Sequence, residues 1–189
     1  MTIGIVIAAA GRGERFTQAG GKGNKLNAVL RGKRVFEQTL QQVLASGLPV
    51  HVVTRPENTL VQQACSAHQV PFTLLASSGL GESIAAGVTA TADWDGWLIH
   101  LADMPFVTPQ VFLQVADALR QHPIVRPSFQ LQPGHPVGFC ATLRKQLCAL
   151  RGDNGARELL HHEQVYVLHL DQPTIVQDID LPSQLAASE

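Results

Sequence analysis

Ile3-Gly4-Ile5-Val6-Ile7-Ala8-Ala9 runs straight into Ala10-Gly11-Arg12-Gly13-Glu14-Arg15-Phe16. The first stretch is apolar and strand-sized, which predicts a buried strand at residues 3–9. The second opens a long Gly- and Lys-rich loop that reaches Asn24-Lys25-Leu26. Arg12, Arg15, Lys22, Lys25, Arg31, Lys33 and Arg34 are seven of the chain's 14 Lys and Arg residues, and Glu14 is the only acid among them. The net charge is −1, so the rest of the chain is net negative. Small residues let backbone N–H groups approach phosphate oxygens, and Arg and Lys neutralise the charge. The stretch predicts a polyphosphate site. The plainer reading is a solvated basic loop.

Composition narrows the class. The chain has 189 residues, enough for one domain with a substantial core over 1–189. Hydrophobic residues make up 45% and charged residues 15%, the balance of an ordinary soluble protein. The near-neutral charge argues against nucleic acid as a partner. The apolar N-terminal run is strand-sized with no basic segment before it, which argues against a membrane span or signal peptide. Cys65, Cys140 and Cys148 are scattered without a C-x-x-C pair. That pattern predicts reduced, buried thiols and a cytoplasmic protein. His161-His162 reads as a helix-end feature rather than a metal site.

Strand-like and helix-like segments alternate. Strands are predicted at 3–9, 50–54, 71–75, 96–101, 124–127, 137–141, 164–170 and 174–179. Helices are predicted at 33–46, 57–68, 82–92, 109–121, 142–149, 154–162 and after Pro182. Thr108-Pro109 is an N-cap followed by proline at the first helical position. Trp94 and Trp97 flank Gly96 and read as edge packing. The alternation predicts a largely parallel sheet with helices on both faces. In such sheets the first and fourth strands often adjoin at the topological switch point, where ligands bind. The basic loop follows the first strand, and Asp103 ends the fourth. Together they suit a nucleotide held with a divalent metal, because Asp and phosphate oxygens are hard ligands. By itself, Asp103 before Pro105 equally suits a turn.

The dinucleotide fingerprint needs G-x-G-x-x-G opening directly into a helix. Here Phe16 stands at the third glycine, and the next helix is expected only near residue 33. Arg55 after the second strand suits an NADP 2′-phosphate, so a dinucleotide-dependent oxidoreductase stays open. A P-loop does not, since Gly21-Lys22 is followed by Gly23.

Further motifs follow in order: Gly79-Leu80-Gly81-Glu82-Ser83-Ile84, Ala102-Asp103-Met104-Pro105, Gly134-His135-Pro136-Val137, Gly152-Asp153-Asn154-Gly155-Ala156-Arg157 and Asp178-Ile179-Asp180-Leu181-Pro182. With Ala9–Phe16 and Asn24-Lys25-Leu26 they make seven, spread over nearly the whole chain. In this order they resemble the MobA-like nucleotidyltransferases, which activate molybdenum cofactor. The cytidylyltransferase branch is the nearer one, because the guanylyltransferases open with A-G-G where this chain has Ala9-Ala10-Gly11. The pattern departs at Leu181, where the family has threonine, at Gln184, where an acid is common, and in the glycine-rich Thr17–Gly23.

The resemblance implies a three-layer, doubly wound, mostly parallel but mixed sheet of the nucleotide-diphospho-sugar-transferase type. It implies transfer of a nucleoside monophosphate, CMP from CTP or from another triphosphate, to the phosphate of molybdopterin, with pyrophosphate released. Arg15, Lys25 and Asp103 become the catalytic candidates. Ala9, Ala10, Gly11, Gly13, Arg15, Lys25, Gly79, Gly81 and Ser83 would bind the nucleotide. Ser83 equally suits a helix cap. His135, Gly152 and Asp153 would face the acceptor, and His135 equally suits a packed turn. Asp103 and Asp180, with Asp178 in reserve, would hold Mg²⁺ or Mn²⁺. A molybdenum hydroxylase or its maturation chaperone is the implied partner. A non-catalytic nucleotide-binding maturation factor is the third class left open.

Overall fold

The computed structural model describes residues 1–187. The chain runs β1 (Ile3–Ala9), α1 (Glu14–Gln18), β2 (Val29–Leu30), β3 (Lys33–Arg34), α2 (Val35–Ala45), β4 (Val50–Thr54), α3 (Thr59–Ala67), β5 (Phe72–Leu74) and α4 (Leu80–Ala90). It continues with β6 (Gly96–Leu101), α5 (Pro109–Leu119), β7 (Ile124–Phe129), β8 (Gln132–Pro133), β9 (Val137–Cys140), α6 (Arg144–Cys148), α7 (Arg157–His162), β10 (Val165–His169) and α8 (Pro182–Ala187).

The main sheet has the order β10-β7-β9-β6-β1-β4-β5, with β8 paired to β7. The β1–β4, β1–β6, β4–β5 and β7–β10 pairs are parallel. β9 enters antiparallel between β6 and β7, so the sheet is mixed. From β1 the chain moves outward through β4 and β5, then crosses back to place β6 on the other side of β1. The β1/β6 boundary is therefore the switch point, and the β1 loop and the Asp103 turn both leave from it.

Strand alternation builds a core on each face. Ile3, Ile5, Ile7 and Leu98 pack with Phe36 and Leu40 of α2, Val61 of α3 and Val115 of α5. Val6, Trp97 and Ile99 pack with Ile84 and Val88 of α4, Leu147 of α6 and Leu159 of α7. Three layers follow because both faces of the sheet are apolar and each needs a helical cover.

Several expectations are corrected. No strand forms at 174–179. Pro173–Val176 is a 3₁₀ turn, and the apolar residues Ile175 and Ile179 are fully buried plugs. Proline lacks a ladder donor, and the apolar spacing here reflects packing rather than pairing. The stretch after Gly13 is not an unbroken loop, because α1 forms at once. Lys33 and Arg34 form β3, which pairs antiparallel with Leu30 and Val29 of β2, so α2 starts only at Val35. Trp97 is completely buried on a central strand, its indole N–H donating 3.0 Å to Thr91 Oγ1. Cys65 is buried, which pushes its thiol up to about 12, whereas Cys140 and Cys148 are half-buried; all three are free.

Candidate active site

Three local devices aim Lys25. Asn24 caps a 3₁₀ turn at Lys25–Asn27, its Oδ1 accepting from the Leu26 amide at 2.9 Å. Leu26 is buried and anchors the turn to the core. Lys25 then reaches inward. Its Nζ donates to Asp103 Oδ2 at 2.8 Å and lies 3.5 Å from Asp180 Oδ1. Lys22, by contrast, is exposed.

Asp103 sits in the turn after β6. Burial pushes its carboxyl above the ordinary range, Lys25 pulls it down, and Asp178 pushes it up. Its second oxygen, Oδ1, is buried without a hydrogen-bond partner. A buried carboxylate oxygen left open beside a second carboxylate is a hard donor set for a divalent cation. No cluster of three or more ligating side chains exists among the described residues. An ion held by Asp103 and Asp180 would complete its shell with phosphate oxygens and water.

A cavity of about 150 Å³ lies beside Lys25 and Asp103. Ala9, Ala10, Gly11, Gly13 and Ser83 line it, as do Ser78 and Leu80, which sequence reasoning did not single out. Gly13 takes φ 65°, a left-handed turn that glycine adopts without strain. Phe16 is buried and fastens α1 beside this turn. Arg15 lies in α1, and its side chain falls outside the described residues. Ser83 is buried inside α4 rather than capping it.

Gly79 and Gly81 do not line this cavity. Gly81 donates its amide to the Gly152 carbonyl at 2.8 Å, and Glu82 Oε2 accepts from the Gly152 amide at 2.8 Å. A Cβ on Gly81 would stand 2.7 Å from the Arg151 backbone. The two glycine motifs are thus one contact, 71 positions apart in the chain for the 81–152 pair. Asp153 is exposed in the same turn.

A second cavity of about 410 Å³ shares Leu80 with the first. His135 lines it with Arg126, Asn154, Arg157 and His161 over an apolar floor that includes Ile99 and Phe139. Burial, then Arg126, then His100 lower His135 to about 3, so its imidazole is neutral near pH 7. Arg126 Nε donates 3.2 Å to the Gly134 carbonyl. Sequence reasoning missed Arg126. Its signal was a lone charge inside an apolar strand, Ile124-Val125-Arg126-Pro127.

Arg55 is buried and committed elsewhere. Its Nη1 donates to the Ala10 carbonyl at 3.3 Å, and its Nε bonds Glu57. Gln184 accounts for one departure at the C-terminus and compensates for the other. Its Oε1 accepts from the Asp180 and Leu181 amides, and its Nε2 donates to the Asp178 carbonyl at 2.7 Å. An acid could not make the last bond, and Leu181 has no hydroxyl with which to cap α8.

No helix among the described residues is long and apolar enough to cross a membrane. The model of the MobA-like NTP transferase domain matches residues 5–169. The purine catabolism protein PucB of Bacillus subtilis is 30% identical over 194 residues, 95% of this chain and 92% of that protein. The bifunctional enzyme IspD/IspF of Ruegeria sp. is also 30% identical, over 97% of this chain, which spans about half (49%) of that relative's length. Rv0371c of Mycobacterium tuberculosis superposes with a TM-score of 0.85 at 21% identity, covering 99% of this chain and 97% of that one. A structure of Rv0371c in complex with manganese superposes at 0.84. The structure therefore has the nucleotidyltransferase fold, and the chain belongs to the family of MobA-like NTP transferase domains.

Proposed function

We propose that this nucleotidyltransferase transfers CMP from CTP to the phosphate of molybdenum cofactor and releases pyrophosphate. The observation that carries the reading is the convergence of Lys25, Asp103 and Asp180 beside the small cavity at the switch point. An acceptor phosphate oxygen bonds to the α-phosphorus of CTP, and the bond from that phosphorus to the β-phosphate bridge oxygen breaks. No protein nucleophile is needed, and none of the three cysteines lines the cavity. Positioning and charge neutralisation carry such a reaction. Lys25 and Arg15 hold the triphosphate, with backbone groups of Ala10 to Gly13 along its tail. Asp103 and Asp180 hold Mg²⁺ or Mn²⁺, which when bound neutralises charge on the phosphates. Ser83 and the Ala10 methyl face the nucleoside, and a methyl there favours a pyrimidine over a purine. His135 faces the acceptor from the larger cavity, and the Gly152-Asp153 turn, which is not part of that cavity's lining, faces it from the surface beside Asn154. Similarity to a purine catabolism protein accords with a molybdenum hydroxylase, or its maturation chaperone, as recipient. Arg55 is already engaged by Glu57 and Ala10, which disfavours a dinucleotide 2′-phosphate site.

Competition between CTP and GTP for transfer to molybdopterin, read as the ratio of kcat/KM, tests the reading. CTP is expected to win by tenfold or more, on the order of what a tight pocket achieves. Equal use, or preference for GTP, removes the cytidylyl assignment. Pyrophosphate release that is indifferent to molybdopterin removes the acceptor.

A further inference from the structure

Helix α2 carries an anomaly on its buried face. Val35, Phe36, Leu40 and Val43 are apolar, and Thr39 stands among them with no exposed surface. Packing alone would accept valine, which has the same shape. The usual partner of a helical threonine hydroxyl is the carbonyl four residues back. Thr39 Oγ1 does lie 3.2 Å from the Val35 carbonyl, but it lies only 2.6 Å from the carbonyl of Ala102, 63 positions away. A hydroxyl has one proton, and the shorter contact takes it.

Ala102 immediately precedes Asp103, and the next two carbonyls along the turn are held as well. The Ile179 amide donates to the Asp103 carbonyl at 2.8 Å, and His100 Nε2 donates to the Met104 carbonyl at 3.2 Å. Three successive carbonyls of the turn are thus clamped by three different segments. The Ile179 bond also fixes the segment carrying Asp178 and Asp180 against Asp103. Ile179 and His100 are parts of the turn's own neighbourhood. Thr39 alone reaches it from a helix on the core side of the sheet.

We propose that Thr39 is a positioning residue: its buried hydroxyl holds the Ala102 carbonyl so that the Asp103 carboxylate faces Lys25 and converges with Asp180. The proposal rests on the reading above, in which Asp103 acts on the bound triphosphate. Thr39 touches no substrate. It acts through the backbone, where a misplacement of about 1 Å can cost a hundredfold in rate.

Two readouts on the full chain test it. Hydrogen exchange is followed at the Ile179 amide without metal or nucleotide, with the Ile5 and Val52 amides of the central strands as controls. In Thr39→Val, Ile179 is expected to exchange at least about tenfold faster while the controls stay unchanged, the pattern of a local opening. The kcat for pyrophosphate release from CTP is expected to fall roughly tenfold or more, with the KM for CTP within about threefold. Thr39→Ser, which restores the hydroxyl, is expected to recover both. Unchanged Ile179 exchange in Thr39→Val, equal acceleration at the controls, or failure of Thr39→Ser to recover either readout would overturn the proposal. So would a rise in KM that accounts for the whole loss. Should Thr39→Val not fold by circular dichroism, Thr39→Ala is compared with Thr39→Ser in the same way, and equal behaviour overturns it. Wild-type protein that releases no pyrophosphate from any nucleoside triphosphate removes the functional reading instead, and the exchange comparison still decides the clamp.

Discussion

The Lys25 ammonium stands 2.8 Å from the Asp103 carboxylate across 78 positions of sequence. The pair joins the loop after β1 to the turn after β6, and those strands are neighbours in the sheet. Asp180 approaches the same ammonium at 3.5 Å. One cation between two carboxylates ties together the three segments that carry them. The Asp103 oxygen not used by Lys25 stays open.

Lys25→Ala is expected to lower nucleotidyl transfer on the order of a hundredfold or more, the scale of a positioned charged donor. Lys22→Ala should stay near wild type, because Lys22 is exposed and, among the described residues, no hydrogen bond or ion pair ties it to the site. Steady-state pyrophosphate release from the two variants checks this. A crippled Lys22→Ala beside an active Lys25→Ala would reverse the assignment.

Removing Lys25 should raise the Asp103 carboxyl further. Burial already pushes it up and Lys25 opposes that push. In Lys25→Met the opposing charge is gone, and the Asp178 charge adds to burial. Carbon-13 NMR titration of the Asp103 carboxyl reads the change. A fall, or no movement, would contradict the ion pair.

Gly81→Ala is expected to destabilise the fold by about 1–3 kcal/mol, as overpacking against rigid backbone does. The new Cβ would sit 2.7 Å from Arg151 backbone atoms, which cannot rotate away. Thermal melts check it. A melting temperature equal to wild type would mean that the Arg151–Gly152 turn yields freely.

Stability should fall as pH drops below about 6.5. Burial lowers His100 to about 4, and burial with Arg126 lowers His135 to about 3. Both are neutral in the folded chain at pH 5, while the unfolded chain begins to take up protons near its ordinary value of 6.5. The unfolded state then binds more protons, so stability rises with pH through this window. Each histidine contributes a slope of up to about 1.4 kcal/mol per pH unit. Asp103, raised in the folded state, acts in the opposite sense toward the carboxylate range. Urea midpoints at pH 7 and pH 5 measure the balance, and His135→Asn should shallow the dependence. Equal midpoints at the two pH values would refute neutral rings in the folded chain.

Much of the molecule was legible locally. An apolar run ending in small residues and concentrated positive charge marked β1 and its loop, because strand propensity and phosphate affinity are short-range properties. In the sequence Lys25 stands out over Lys22 only through the resemblance of Asn24-Lys25-Leu26 to the family motif; the cap and the apolar anchor that aim it belong to the folded turn. Tertiary structure decided what depends on long-range contact. It spent the Gly81 amide on Gly152, turned 174–179 into a buried plug, and set Trp97 in the centre of the sheet. It placed Arg126 in the larger cavity and brought Asp180 within reach of Lys25. Sequence spacing carries no record of which distant backbone groups will meet, because those meetings follow from strand order and helix packing. The Thr39 hydroxyl shows this at its sharpest. On the helix it occupies a site that valine would fill equally well, and only the folded chain supplies the Ala102 carbonyl that uses it.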